Sequence, residues 1–374
     1  MIWLCLLLVA VSFLISAPLV WALAGLGRRV GHVDEPGTEA HKAHARAVPS
    51  TGGLGIFFAI AAPMFAINIA IWLMPQQAYS GWLEPLAAHV HGLMQHAHLG
   101  IAILIAMVVV HITGLIDDRR GLSAWTKLTV QGVVAVVLVI FFDMRIFQSL
   151  AAHGGAGMVA CIAISIVWLV VITNAMNFLD NMDGLSAGVG VVVAGLYLAA
   201  TLIAGQWFVA ALCALLVGAL LGFLVFNFPP AKVFMGDAGS LVIGLLIAVI
   251  SVRTTYFEAD ALLDPPHWYG VLMPLLLLAV PLYDFTSVTL MRVLAGKNPM
   301  SADRNHLSHR LVRRGLSPRA AVIVIWLCTL VVGLGGVMLA KLRPWQACLV
   351  AAQALAVLIV LAMLERVGFD RDES

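Results

Sequence analysis

Residues 157–185 read GMVACIAISIVWLVVITNAMNFLDNMDGL. An uncharged, mostly apolar run passes directly into a patch carrying Asn174, Asn177, Asp180, Asn181 and Asp183. A helix needs about 20 apolar residues to cross a hydrocarbon core about 30 Å thick, so the run predicts a membrane span and the patch marks its emergence at a surface. The same alternation recurs along the chain. Spans are expected at 2–25, 53–74, 98–116, 125–142, 157–176, 185–204, 207–228, 238–256, 269–293, 319–340 and 345–365.

Composition agrees with that reading. Of 374 residues, 62% are hydrophobic and 11% charged, with a mean hydropathy of +1.02, whereas soluble domains carry about 25% charged residues. The expected fold is all-α: a polytopic transmembrane helical bundle of about eleven spans, forming one integral-membrane domain over residues 1–374. The first run lacks a cationic leader and is followed by Arg28-Arg29, so it is read as an uncleaved span. All five cysteines fall inside expected spans without metal-ligand spacing, which predicts packing rather than a disulfide or zinc site.

Five polar islands interrupt the apolar runs, in the loops 26–52, 117–127, 174–184, 229–237 and 294–318. Of the 21 Lys and Arg residues, 17 lie in these loops, at their margins or in the tail after 365; Arg145, Arg253, Lys341 and Arg343 lie opposite. The positive-inside rule therefore expects all five islands and the C-terminus in the cytoplasm and the N-terminus outside. Net charge is only +2, and no nucleic-acid partner is expected.

Each island has a chemical reading beside a plainer one. Asp117 and Asp118 end the third span; adjacent acids disfavour each other's ionisation unless a cation relieves them, although Arg119 and Arg120 also suit a solvated loop. Lys127 opens the fourth span, where a cation opposes the helix dipole, so a nearby anion is expected: the aspartates or a substrate phosphate. Asn174, Asn177, Asp180 and Asp183 recur every three residues and would share roughly one face of a continuing helix; amide and carboxylate oxygens suit Mg²⁺. In VFMGDAGS, residues 233–240, Asp237 fits a metal ligand or a helix cap, and Gly236 and Gly239 allow close approach of a ligand. Phe234 suits either stacking on a base or anchoring at the interface.

The last island, SADRNHLSHRLVRRG, gathers Arg304, His306, His309 and Arg310, a set suited to a pyrophosphate. Pro274 and Pro281 predict a bend in the ninth span, and Asp284 lies deep enough within it to require a partner in the bundle or a polar cavity. His89, His91, His96 and His98 fall in the expected outer loop away from every island, and His111 is read as packed inside the third span.

Taken in order, HKAHARAVPSTGG, GLIDD with Lys127, NAMNFLDNMDGL, VFMGDAGS and DRNHLSHRL resemble the polyprenyl-phosphate N-acetylhexosamine-1-phosphate transferases, in the branch that starts bacterial cell-envelope glycans such as O-antigen. The resemblance covers about residues 31 to 311. It implies transfer of a sugar-1-phosphate, GlcNAc-1-phosphate first, from a UDP-sugar to undecaprenyl phosphate at the cytoplasmic face of the bacterial inner membrane, with release of UMP. It also implies Mg²⁺, with Mn²⁺ as a substitute, and admits a homodimer.

Residue by residue, the resemblance makes Asn177 and Asp237 the metal ligands, and Lys127 a phosphate contact. Asp117 and Asp118 would arrange or activate the lipid phosphate, Phe234 and Asp183 would recognise uracil by stacking and hydrogen bonding, and Asp180 is a substrate-binding candidate. His306, His309 and Arg310 would clamp the diphosphate, Arg304 is a further substrate-binding candidate, and Lys42 and His44 match the first-loop motif. Two positions depart from the family pattern: Asn181 stands where glycine is usual, and Ser308 replaces a histidine. Two alternatives remain at this stage: a transferase of phospho-MurNAc-pentapeptide, and a Mg²⁺ or ion carrier built around intramembrane acids such as Asp284.

Overall fold

The computed structural model describes residues 2–30, 33–34, 48–73, 84–254, 268–299 and 305–366. Its helices are α1 (Ile2–Val30), α2 (Gly52–Leu73), α3 (Glu84–Arg120), α4 (Ala124–Phe141), α5 (Gly154–Phe178), α6 (Leu185–Ala204) and α7 (Trp207–Asn227). They continue as α8 (Gly236–Thr254), α9 (Met273–Leu277), α10 (Ala279–Leu294), α11 (Leu307–Arg313), α12 (Pro318–Val337) and α13 (Pro344–Leu364). Helices dominate because a span in hydrocarbon must satisfy every backbone polar group within itself. A ribbon of two residues per strand, β1 (Val33–Asp34) and β2 (Val48–Pro49), pairs antiparallel with Val33 opposite Pro49.

Ten of these helices are long and apolar enough to cross a membrane. The ninth expected span is in two pieces, α9 and α10, broken at Leu278. Pro281 supplies the cause, since it has no N–H for the carbonyl of Leu277 four residues earlier. The bend predicted from the prolines is thus a break.

The third span is longer than expected. Because α3 begins at Glu84, the four clustered histidines lie on a helix rather than in a loop. His96 rests against Phe208 and His98 against Trp72. Among the described residues no group of three or more His, Cys, Asp or Glu side chains is placed to hold a metal. The five cysteines are free; Cys5, Cys161 and Cys213 are buried, while Cys348 departs from the packing expectation on the exposed face of α13.

Between helices, small residues set the spacing. Gly218 and Gly222, four apart on α7, meet α1 so closely that a Cβ on Gly218 would stand 2.2 Å from the carbonyl oxygen of Val9. Two buried serines of α1 use that proximity: Ser12 Oγ donates to the Leu215 carbonyl at 2.7 Å and Ser16 Oγ to that of Ala219 at 2.7 Å. At the centre stands α8, buried from Ala238 through Val252. Its first turn therefore lies at the middle of one end of the bundle, with the ends of its neighbours around it.

Candidate active site

The chain enters α8 through Gly236, whose φ of +65° favours glycine. A Cβ there would also stand 2.5 Å from Asp118 Oδ2. Asp118, in the last turn of α3, accepts from the backbone N–H groups of Asp237 (2.8 Å) and Ala238 (3.2 Å). It thus satisfies two donors that the start of a helix leaves open, and the helix dipole favours its charge. What approaches Gly236 is this carboxylate, and what approaches Gly239 is the backbone of Gly53. Gly236→Ala is expected to lower stability by about 1–3 kcal/mol through backbone strain and displacement of Asp118. Thermal unfolding of the purified variant in detergent measures this, and an unchanged midpoint would contradict the tight fit.

With α8 fixed, Asp237 becomes the meeting point of three elements. Lys127 Nζ, in the first turn of α4, donates to Asp117 Oδ2 at 2.8 Å and to Asp237 Oδ2 at 2.9 Å. The anion expected beside Lys127 is therefore the aspartate pair on two other helices. Asp117 Oδ1 also accepts from the Leu122 N–H, closing the short turn between α3 and α4. Asn177, in the last turn of α5, donates through Nδ2 to Asp237 Oδ1 (3.0 Å) and to Ser240 Oγ (2.8 Å).

Two carboxylates thus share one ammonium, with Asp118 beside them on the start of α8, leaving the cluster short of positive charge. Asp117, Lys127 and Asp237 keep 13%, 24% and 25% of their side-chain surface exposed, so the cluster is reachable from outside the bundle. The donors are hard carboxylate and amide oxygens, and Mg²⁺ takes one or two protein ligands while phosphate and water supply the rest. Asp237 and Asn177 fit that requirement, whereas a site closed entirely by protein would not arise from them.

The end of α5 distributes its polar residues in several directions, which corrects the single-face expectation. The helix stops at Phe178, so Asp180 and Asp183 lie in the following turn rather than on a continuing face. Asn174 turns to α4, donating to Gln131 Oε1 at 2.5 Å, and Asp183 Oδ2 accepts from the Ala231 N–H at 2.8 Å. Buried Asn227, an undistinguished residue at the end of an apolar run, joins the same two islands. Its Oδ1 accepts from the Gly184 N–H and its Nδ2 donates to the Val233 carbonyl.

The last island docks beside this centre. Asp284, fully buried in α10, accepts from the Leu307 N–H at 2.6 Å and pairs with His306 Nδ1 at 2.9 Å. The His306 Nε2 faces Arg292, whose guanidinium lies 5.2 Å from the centre of the Phe178 ring. Phe178 also meets His306 edge to face at 5.7 Å, so adjacent residues of α5 serve both halves of the site: Asn177 on Asp237 and Phe178 on the histidine. Asp284 has the bundle partner expected of it. His306, 6% exposed, is held from both ring nitrogens, while His309 follows one helical turn later and is half-buried.

Arg310 donates to Ser287 Oγ at 2.8 Å and pairs with Glu365 at 3.3 Å, which ties the island to the end of α13. Burial pushes the Glu365 carboxyl above the usual range despite the opposing pull of Arg310. His111 is packed as expected, stacked on Phe57 at 4.2 Å with Nδ1 on the Ala238 carbonyl.

The first island reaches the centre through its backbone. Phe234 N–H donates to the Pro49 carbonyl, and the N–H groups of Gly52 and Gly53 donate to the carbonyls of Phe234 and Met235. Lys42, His44 and Arg304 lie outside the described residues. Sequence reasoning missed Phe178, Gln131, Ser240, Asn227 and Arg292. A polar or aromatic residue ending an apolar span was the available signal for Phe178 and Asn227; Ser240 and Gln131 gave none.

The described residues of the five islands therefore gather at one end of a membrane helix bundle, around an oxygen-rich, lysine-bridged cluster: the fold and site of a multi-pass membrane enzyme. Residues 100–255 match glycosyl transferase family 4. The chain is 30% identical over 345 residues to a protein of Bacillus subtilis (strain 168) named probable undecaprenyl-phosphate N-acetylglucosaminyl 1-phosphate transferase, covering 90% of this chain and 86% of that protein. It is 32% identical over 343 residues to the decaprenyl-phosphate N-acetylglucosaminephosphotransferase of Mycolicibacterium smegmatis, covering 86% and 79%. To the undecaprenyl-phosphate alpha-N-acetylglucosaminyl 1-phosphate transferase of Escherichia coli (strain K12) it is 26% identical over 335 residues, covering 87% and 81%. The chain belongs to glycosyl transferase family 4, among its polyprenyl-phosphate N-acetylglucosamine phosphotransferases.

Proposed function

We propose that the protein transfers GlcNAc-1-phosphate from UDP-GlcNAc to undecaprenyl phosphate at the cytoplasmic face of a bacterial inner membrane, the first step of a cell-envelope glycan. The observation that carries this reading is the convergence of Asp117, Lys127, Asn177 and Asp237 from four helices. The names of the relatives support GlcNAc-1-phosphate and a polyprenyl acceptor. On α3 the exposed Ile112 and Ile116 lead to the exposed Arg119 and Arg120, an arrangement that suits an acceptor with an isoprenoid tail and a phosphate head.

In the proposed reaction an oxygen of the lipid phosphate bonds to the sugar-bearing phosphorus while the bond from that phosphorus to the bridging oxygen breaks. UMP departs with the bridging oxygen. A phosphate monoester has a second pKa of about 6, so the nucleophile is already largely dianionic at neutral pH and no strong base is required. Lys127 and the last-island cations offset charge on the phosphates, while Asp117 holds Lys127 in place. Asn177 and Asp237 would hold Mg²⁺, which when bound supplies charge neutralisation to the diphosphate. Phe234, Asp180 and Asp183 are assigned to the nucleotide, and His309 and Arg310 to the diphosphate; His44 and Arg304, outside the described residues, are assigned to substrate from the sequence alone.

Direct displacement is the economical course because positioning and charge suffice. The carrier alternative loses its main residue, since Asp284 is committed to His306 and Leu307. Membranes containing the protein should release UMP from UDP-GlcNAc only with polyprenyl phosphate present, lose this activity with EDTA, and regain it with Mg²⁺ or Mn²⁺. Failure to release UMP from any UDP-sugar would sink the proposal.

A further inference from the structure

Two side chains outside the assigned set touch each other across the site. Ser308 Oγ donates to Asn181 Oδ1 at 2.5 Å, and Asn181 Nδ2 donates to the Phe178 carbonyl at 2.6 Å. Asn181 stands four residues after Asn177, and Ser308 stands between His306 and His309. One continuous chain of contacts therefore runs from the last island through Asn181 to the end of α5, where Asn177 grips Asp237.

Backbone geometry does not dictate the residue at 181, because Asn181 is not among the positions with positive φ. Its side chain is what the position uses. Ser308 is 1% exposed, so the space around its hydroxymethyl group is already filled. An imidazole at 308 beside the amide at 181 would overpack a closed site, and removing the amide would open room on that side.

We infer that Asn181 and Ser308 are a matched pair of positioning residues that fixes the last island, and with it His309, against the Asn177–Asp237 centre, so that the residue tolerated at one position depends on the other. The inference rests on the transferase reading. Neither residue is assigned to substrate; both act through the groups they hold. Loss of the pair should therefore lower turnover more than donor binding.

The test uses the full chain purified in detergent or nanodiscs, with UMP release measured from UDP-GlcNAc and undecaprenyl phosphate. Ser308→Ala, which only removes atoms and should fold, is expected to lower kcat about tenfold while KM for UDP-GlcNAc stays within about twofold. Ser308→His alone should cost more than Ser308→Ala, and adding Asn181→Gly to it should recover kcat by about tenfold. A general packing defect would instead let the losses of the two substitutions multiply. Multiplicative losses, or a wild-type kcat in Ser308→Ala, overturn the pairing while leaving the reaction in place. Wild-type protein that releases no UMP from any UDP-sugar overturns the transferase reading, and the pairing with it.

Discussion

Asp237→Ala is expected to reduce UMP release by at least about 10³-fold with the protein still folded. Asp237 is the one side chain that Lys127 and Asn177 both hold, and it is the central anion of the proposed cation site. Removing it leaves Lys127 on Asp117 alone and the Asn177 amide on Ser240. The fold should survive, because Asp117 still pairs with Lys127 and Asp118 still caps α8, so the thermal midpoint should fall only modestly for the loss of the contacts to Lys127 and Asn177. Asp237→Asn keeps the size but not the charge and should remain nearly inactive. The measurement is turnover in proteoliposomes beside thermal unfolding of the same preparation. Wild-type turnover in a folded Asp237→Ala protein would remove the proposed centre.

Asp284→Ala should behave in the opposite way, with stability failing first. Both Asp284 oxygens are used in a fully buried position, one by the Leu307 N–H and the other by His306. Truncation strands a backbone donor, and the imidazole loses its partner while Arg292 still faces its other nitrogen. Breaking a buried pair of this kind costs about 3–5 kcal/mol. The last island should loosen, with a lower thermal midpoint and faster proteolysis near α11, and activity should fall as a consequence. Asp284→Asn retains an acceptor for the Leu307 N–H and should be intermediate in both measurements. A stable but inactive Asp284→Ala protein would instead place Asp284 in the chemistry and reopen a transport or proton-handling role.

The contrast between these two acids shows what a sequence can and cannot reveal. Both stand beside or within apolar runs, and burial cost alone requires each to have a partner. The partner's identity depends on which helices adjoin, and local spacing does not encode that. Asn174, Asn177, Asp180 and Asp183 illustrate the limit, because their regular interval suggests one face. Yet α5 stops at Phe178, where Asn181 bonds the carbonyl that would have continued the helix, and Asn174, Asn177 and Asp183 meet three different elements. Likewise the Asp117-Asp118 pair reads as one unit, but adjacent residues on a helix point about 100° apart. Asp117 therefore meets Lys127, while Asp118 meets the start of α8.

By itself the sequence determined the class of fold, the membrane spans to within a few residues at most ends, and the residue types of the site. These follow from hydrocarbon thickness and from the cost of placing polar groups in it, which act locally along the chain. Tertiary structure alone decided the break at Leu278 as against a bend, the capping of α8 by Asp118, the burial of His306 on Asp284, and the contact between Asn181 and Ser308. Each of these depends on the close approach of helices far apart in sequence or on how a local strain is resolved, and packing of the whole bundle sets both.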